Sequence, residues 1–202
     1  GAAPGGPPPF GAVVKDARRI DGPLTVWQKD EKVWIALKPD QLDKPFFFSI
    51  NIPRSIGERG LYGGQMAGPW FGMPFGGSHV AKWKKIGNQL QLIAVNTEFF
   101  AKEGTPQAQF VSESFSDSLI ASAAVASQPH PDTKAVLVEA NGFLFADLAG
   151  YSTMIEAAFR MPFALDARNS SFSRVTNNDI ATSLQVNAHF AVPKIPARPL
   201  TP

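Results

Sequence analysis

The chain contains no cysteine and only three histidines, and both scarcities narrow its chemistry. Without cysteine it has no disulfide, thiolate metal site, iron–sulfur cluster or cysteine nucleophile. The histidines are His79, His130 and His189, and none has a second histidine at the three- or four-residue spacing that places two imidazoles around zinc on one helix face. The sequence therefore predicts no metal site and no cofactor in this chain.

Long apolar runs and an excess of one charge are also missing. No run approaches the roughly 18 apolar residues of a membrane-spanning helix, so no transmembrane segment is predicted. Lysine and arginine number 19 against 17 acidic residues, and no segment concentrates the basic ones, which argues against nucleic acid as a partner. With 44% hydrophobic and 18% charged residues, the composition favours a globular domain with a real core.

Proline and glycine mark two arms around one domain. Residues 1–9 hold four prolines and three glycines, which remove backbone donors and predict an irregular arm. In the tail at 193–202 proline recurs every third residue, so a polyproline II helix carries every ring on one face. We therefore predict an N-terminal arm at 1–9, a single β-rich domain at 10–192 and a C-terminal arm or linker at 193–202.

The start of the chain bears on its location. The opening Gly1-Ala2-Ala3-Pro4 is similar to a mature end left by cleavage after small residues. Together with the lack of cysteine, it favours a secreted or bacterial cell-envelope protein.

Alternating apolar and polar residues predict two antiparallel hairpins. In the first, 24–28 and 33–37 flank a polar turn at 29–32. In the second, 80–86 and 89–95 flank the turn dipeptide Gly87-Asn88.

Three further strands are expected. The run at 46–52 lies between Pro45 and Pro53 and predicts a mostly buried strand. The others are 134–138 and 183–192, and alternation in the last places His189 on its more polar face.

Helix is the minority. The segment 151–160 predicts the main helix, with Ser152 or Thr153 as its cap and Ile155 and Phe159 one turn apart. The stretch 108–126 fits either helix or strand, and strand is favoured for its second half. The predicted fold class is α+β, predominantly β, with antiparallel hairpins forming a sandwich-like or strongly curved sheet.

Catalytic signatures are missing from the sequence. No histidine is followed by glutamate, so the H-E-x-x-H motif of zinc proteases is absent. The segment 76–80 lacks the second glycine of a nucleophile elbow, and 57–64 lacks the lysine of a phosphate-binding loop. We therefore assign no catalytic residue to this chain.

Two polar loops are candidate sites. The first contains Arg54 and, between two glycines, Glu58 and Arg59, and the second contains Asp166, Arg168 and Asn169. Such loops either grip a ligand or form arginine–carboxylate networks and Asx turns that fix the loops themselves. The second interpretation is favoured.

A third candidate is the aromatic loop, residues 68–77. Its candidate interaction residues are Trp70, Phe71, Met73 and Phe75, on a backbone too rich in glycine and proline for regular structure. Since a loop cannot cheaply leave all four side chains in water, they either fold back onto the core or meet another chain or ligand.

A set of segments, in order along the chain, carries a family resemblance. They are VKDARRIDG at 14–22, WQKDEKVW at 27–34, KPDQLDKPF at 38–46, IGERGLYGG at 56–64, FSDSL at 115–119, VLVEA at 136–140 and DARNSS at 166–171. Together they resemble the region of unknown function that precedes the catalytic domain in large bacterial secreted zinc-dependent metalloproteases. The resemblance spans roughly residues 10–195, although the aromatic loop is longer and more apolar than the family pattern.

The resemblance implies a non-catalytic N-terminal accessory or shielding domain whose partner is the downstream metalloprotease domain. In such proteins the zinc-binding helix lies downstream, so zinc belongs to the parent protease and no ligand carries over to this chain. One alternative is a structural subunit of an extracellular oligomer or fibre, whose identical subunits join through Pro-rich arms and sheet edges. Another is a carbohydrate- or peptide-binding module that uses Trp70, Phe71 and Phe75 as a platform.

Overall fold

Short strands are the main regular structure of the protein. The computed structural model describes residues 6–67, 79–97, 99, 101–114 and 117–192. Its strands are β1 (Arg18–Ile20), β2 (Thr25–Lys29), β3 (Lys32–Leu37), β4 (Pro45–Phe48), β5 (Ile50–Ile52), β6 (Gln65–Ala67), β7 (His79–Ile86), β8 (Gln89–Ala94), β9 (Ser118–Ala124), β10 (Val136–Glu139), β11 (Ala164–Leu165), β12 (Ser171–Asn177), β13 (Thr182–Asn187) and β14 (Phe190–Ala191). Its helices are α1 (Phe10–Val13), α2 (Pro106–Ser114), α3 (Asn141–Leu144) and α4 (Tyr151–Phe159), with a 3₁₀ turn at Pro39–Gln41.

Two four-stranded antiparallel sheets form the centre of the fold. Sheet 1 has the order β1-β2-β3-β10, and sheet 2 has the order β4-β7-β8-β9. Three two-stranded pairs, β5-β6, β11-β14 and β12-β13, complete the described strands. Because strands hold 41% of the structure and helices 16%, the predicted α+β class with predominant β structure is confirmed.

The two sheets enclose one apolar core. Side chains alternate along a strand, so Val33, Ile35 and Leu37 of β3 share one face. That face packs in one cluster with Trp83 of β7 and Leu92 of β8. The packing of facing sheets agrees with the predicted sandwich-like arrangement.

Sheet 1 is buried on its other face as well. Trp34 and Leu137 point away from the core and pack against Phe10 and Val14. We call residues 8–14, which cover this face, the strap. The backbone N–H of Gln128 donates a hydrogen bond to the carbonyl of Pro8, at 2.8 Å, at the start of the strap. These contacts place Pro8 against the domain; the boundary drawn at residue 9 stays a prediction.

The chain passes directly from sheet 2 to sheet 1 at one corner. After β9, Val125 donates its N–H to the carbonyl of Asn88 at 2.9 Å and bridges to Val138 of β10. The next residue, Ala126, donates to the carbonyl of Leu137 at 2.7 Å. One short segment therefore hydrogen-bonds to both sheets.

Both predicted hairpins are confirmed, as β2-β3 and β7-β8. In the first, Lys29 pairs with Lys32, which leaves Asp30 and Glu31 as the turn. Asp30 has a φ of 51°, a left-handed conformation that aspartate tolerates better than most residues. The side chain of Asn141 ties this turn to α3, donating to the carbonyl of Glu31 at 2.8 Å.

Two predicted strands are each divided in two. The run at 46–52 breaks at Ser49 into β4 and β5, and its prediction as mostly buried is wrong. Phe46 and Phe48 face the core, whereas Phe47 points to the opposite face and is 84% exposed, because side chains alternate along a strand. The run at 183–192 breaks into β13 and β14, which pair with different strands, so His189 lies in the connection rather than on a sheet face.

The helical predictions are largely confirmed. The helix at 151–160 is α4, the stretch 108–126 resolves into the end of α2 followed by β9, and the strand at 134–138 is β10. Only the predicted cap of α4 is wrong. The start of α4 is capped instead by the carboxylate of Asp147, which accepts hydrogen bonds from the N–H groups of Tyr151 at 2.8 Å and Ser152 at 3.1 Å.

Candidate functional site

The first polar loop, residues 53–64, connects β5 to β6 and lies against α4. It is closed by the carbonyl of Leu61, which accepts hydrogen bonds from the N–H of Gly57 and the hydroxyl of Ser55, each at 2.8 Å. The Ser55 hydroxyl is also hydrogen-bonded to that of Tyr151. Leu61 itself is buried with Tyr151 and Ile155 of α4. The loop is therefore fixed to the helix by both polar and apolar contacts.

Arg59 makes the main charged contact of this loop. Its Nη1 donates to the carbonyl of Ala158 at 3.1 Å, and its guanidinium lies over the ring of Phe159, 4.9 Å from the centroid. A cation suits this position because the last carbonyls of a helix lack partners within the helix. Arg54 and Glu58 are exposed, and among the described residues no ion pair joins Glu58 to Arg54 or to Arg59. The predicted arginine–carboxylate network is thus not present in the described loop.

The second polar loop follows β11 and is organised by Asp166. Its carboxylate accepts hydrogen bonds from the side chain of Asn169 at 2.6 Å and from the backbone N–H of Arg168 at 3.1 Å. The Asn169 bond lowers the pKa of Asp166, and although desolvation opposes this shift, the backbone N–H groups of Arg168 and Asn169 and the nearby His189 keep the pKa lowered overall. These local bonds form an Asx turn, the geometry that the favoured interpretation predicts.

Both loops border one small apolar cluster. Leu61, Tyr151 and Ile155 form its buried part, and Phe163 and Phe190 pack at its edge. The loop with Arg59 sits on the α4 side, and the loop with Asp166 begins where β11 pairs with β14. In the described part of the chain, no hydrogen bond or ion pair connects the two sets of predicted site residues. They are neighbours of a common scaffold rather than one polar site.

The aromatic loop cannot be located in the same way. Trp70, Phe71, Met73 and Phe75 lie outside the described residues. The loop joins β6, which ends at Ala67, to β7, which begins at His79.

A different apolar side chain stands out within the described residues. Ile180, at the tip of the β12-β13 hairpin, is 90% exposed. The tip is built rigidly: the Asn178 side chain accepts N–H bonds from Ile180 at 2.9 Å and Ala181 at 2.7 Å. At its base, Asn177 donates to the carbonyl of Leu24 at 2.9 Å. Ile180 was not among the predicted site residues, although a large apolar side chain in a polar turn is a signal that the sequence offers.

Sequence analysis also missed an ion pair on the outer face of sheet 2. Lys82 of β7 and Asp117 approach to 2.6 Å, and Asp117 accepts the N–H of Asn96 at 3.0 Å. Partial burial raises the pKa of Asp117, but the Lys82 bond, the Asn96 bond and the charges of Lys82 and Lys84 outweigh it, so the pKa is lowered overall. Only the strand register, in which Lys82 pairs with Ile93 and Ile93 with Leu119, brings these residues together.

The three histidines do not gather. His130 accepts the N–H of Asp132 at its Nδ1, at 3.2 Å, His79 begins β7 and His189 lies beside the Asp166 loop. Within the described ranges, no group of three or more His, Cys, Asp and Glu side chains is arranged to hold a metal ion. No helix in the same ranges is long and apolar enough to cross a membrane.

No family model, curated protein or solved structure matches this chain.

Proposed function

We propose that this chain is the non-catalytic N-terminal accessory or shielding domain of a secreted or bacterial cell-envelope zinc-dependent metalloprotease. The zinc and the catalytic residues belong to the parent protease, and the partner of this chain is the downstream metalloprotease domain. The proposal rests on the sequence resemblance over roughly residues 10–195. The predominantly β fold is compatible with such a domain.

One structural observation supports the proposal: polar residues of the resembling segments bind other groups of this same domain. Arg59 of the segment at 56–64 binds the end of α4, and Asp166 of the segment at 166–171 organises its own loop. Asp16 of the segment at 14–22 lies 3.8 Å from Lys29. Because Arg59 and Asp166 bind groups of their own fold, and the exposed Asp16–Lys29 pair contributes little, these residues support a positioning role better than substrate chemistry.

The exit of the chain limits where a following domain attaches. The strand β14 ends at Ala191 beside the cluster of Tyr151 and Phe190. A further ten residues span about 35 Å at full extension. The chain leaves the fold on the side that carries α4 and the 53–64 loop, so the surface nearest to a domain joined through the segment 193–202 is this side, where Ile56 and Tyr62 are exposed.

The first test is the mass and metal content of the protein isolated from its source. We expect a parent chain several times heavier than 21.8 kDa that carries zinc, measured by intact mass spectrometry and elemental analysis of one sample. A native 21.8 kDa chain in a metal-free assembly contradicts the proposal and favours the structural-subunit alternative.

A second test addresses the contact within the parent protein. In the full chain, I56S combined with Y62S removes two exposed apolar side chains from the proposed contact side, and I180S is the matched control at the hairpin tip. We expect faster hydrogen exchange in the metalloprotease domain for the double variant only. Equal exchange in the two variants rules out this side as the contact.

A further inference from the structure

The strap and the surface beneath it form a matched pair of elements. On the outer face of sheet 1, Trp34, Ala36, Ala135 and Leu137 form the socket. Phe10 fills it from the strap and is only 6% exposed, and Val14 is 7% exposed. The contact thus joins a short N-terminal segment to residues that lie far from it in the sequence.

Aromatic contacts orient Phe10 at the edge of the socket. Its ring meets that of Trp27 edge-on, with centroids 6.3 Å apart. The ring of His130 meets it at 5.0 Å, also nearly perpendicular. Such edge-to-face pairs add geometric specificity to apolar burial, so the socket recognises this particular segment.

The connection between strap and sheet is short and conformationally unfavourable. Three residues, Lys15, Asp16 and Ala17, lie between Val14 and the start of β1. The turn closes through the N–H of Ala17, which donates to the carbonyl of Val14 at 3.0 Å. Asp16 has a φ of 63°, in the left-handed region that aspartate tolerates better than most residues but still adopts at some cost relative to glycine. An extended connection does not carry this cost.

Besides the packing of Ala17 against the socket cluster, few other contacts hold the turn closed. Lys29 reaches the carbonyl of Lys15 at 3.3 Å and the carboxylate of Asp16 at 3.8 Å. These side chains are largely exposed, where ion pairs contribute little. The strap therefore packs in the socket through well-defined contacts. The turn at residues 15–17, which we call the hinge, is held by weaker contacts.

We infer that two copies of this chain exchange straps, so that Phe10 and Val14 of each copy fill the socket of the other. The contacts of Phe10 and Val14 with the socket form again between the copies, and residues 15–17 change from a turn with a positive φ at Asp16 to an extended link. Short hinges under strain favour such exchange, which gives a closed dimer with two-fold symmetry. The inference is independent of the proposed function, because a protease-associated domain and a stand-alone subunit can both exchange straps.

The lack of cysteine allows a direct test. Because Gln128 donates to the carbonyl of Pro8, these two positions are adjacent when the strap is seated, and both side chains reach the surface. The variants P8C and Q128C are each prepared alone, mixed in equal amounts at several protein concentrations, and oxidised. A disulfide joining P8C to Q128C in this mixture requires the strap of one chain in the socket of the other.

Exchange predicts a covalent heterodimer that forms at least several-fold more in the mixture than the homodimers of either variant alone. The double variant P8C/Q128C is the control for the seat itself. If it closes only within one chain and the mixture gives no excess heterodimer, exchange does not occur. If neither preparation forms the disulfide, the strap does not occupy this socket and the inference also fails.

The hinge supplies an independent pair of variants. D16P fixes φ near −65°, which the closed turn cannot accommodate, so exchange predicts a several-fold larger dimer fraction in light scattering. D16G accepts the positive φ without strain and predicts a smaller dimer fraction than in the unaltered chain. A D16P protein that stays folded and monomeric contradicts the inference.

Discussion

Arg59 lies over the ring of Phe159 while donating a hydrogen bond to the carbonyl of the preceding residue, Ala158. One side chain thus covers the end of α4 and satisfies one of its terminal carbonyls. The 53–64 loop is held at this point and at the hydroxyl pair of Ser55 and Tyr151. The loop therefore acts as part of the scaffold around α4.

Replacing Arg59 with alanine is expected to destabilise the protein by about 1 kcal/mol, because an exposed cation–π contact and a charge-assisted hydrogen bond are both lost. The free energy of unfolding in urea measures the effect. The matched control is R54A, which removes an exposed arginine of the same loop and is expected to change stability by less than about 0.5 kcal/mol. Equal effects of the two variants refute the capping role of Arg59.

The cap of α4 provides a second prediction. Asp147 accepts two backbone N–H bonds at the helix start and also the hydroxyl of Ser152, at 2.5 Å. We expect D147A to cost about 1–2 kcal/mol, the range for loss of an N-terminal capping carboxylate. The control T153A changes an exposed residue that the sequence had suggested as the cap, and thermal unfolding should distinguish the two. A larger loss in T153A contradicts the observed cap.

A third prediction concerns Asn141, which links three separate elements. Its Oδ1 accepts the N–H of Val33 at 3.0 Å, and its Nδ2 donates to the carbonyl of Glu31. In N141A both backbone groups lose their partner, which is expected to cost about 1–3 kcal/mol. N51A, at an exposed asparagine of β5, is the control and should leave the urea midpoint nearly unchanged. Comparable midpoints for both variants argue against this role.

The fourth prediction is a pH dependence. The pKa of Asp117 is lowered in the folded protein, so the unfolded chain binds this proton more tightly than the folded chain. The stabilisation by Asp117 is therefore fully present above the unfolded carboxyl value of about 3.9 and is lost as the pH falls through the folded value.

The variant D117N tests this dependence. We expect it to be less stable than the unaltered protein at pH 7, with the gap narrowing below about pH 4. Urea unfolding at pH 7, 5 and 3 measures this difference in stability. The variant K82M, which removes the partner charge of Asp117, should also differ from the unaltered protein by an amount that shrinks as the pH falls from 7 to 3. A gap that stays constant from pH 7 to pH 3 excludes the ion pair as its source.

Local patterns were sufficient to predict the hairpins. Gly87 and Asn88 supply turn chemistry, and alternation on either side sets the faces, so β7 and β8 follow from the sequence alone. In 183–192 the alternation continues unbroken, yet β13 pairs with β12 and β14 with β11. The change of pairing strand, from β12 to β11, depends on tertiary contacts that a local sequence pattern does not show.

The same distinction applies to the candidate site. The Asx turn at Asp166 was predictable because its partner, Asn169, lies three residues away. The contact of Arg59 with Ala158 was not, because it depends on how α4 docks. Asp147 escaped prediction because Gly150 adopts a left-handed φ of 61° and brings the chain back over that carboxylate.

The direct passage of Val125 and Ala126 from one sheet to the other has a mechanical consequence. Because these two residues hydrogen-bond to Asn88 on the side of sheet 2 and to Leu137 in sheet 1, they hold the two sheets together at this corner. Under load, the sheets are expected to separate first at the opposite margin, where β1 and β4 lie, and to part last at the corner. In a force experiment, attachment points at β1 and β4 should therefore give a lower rupture force than attachment points flanking residues 125 and 126.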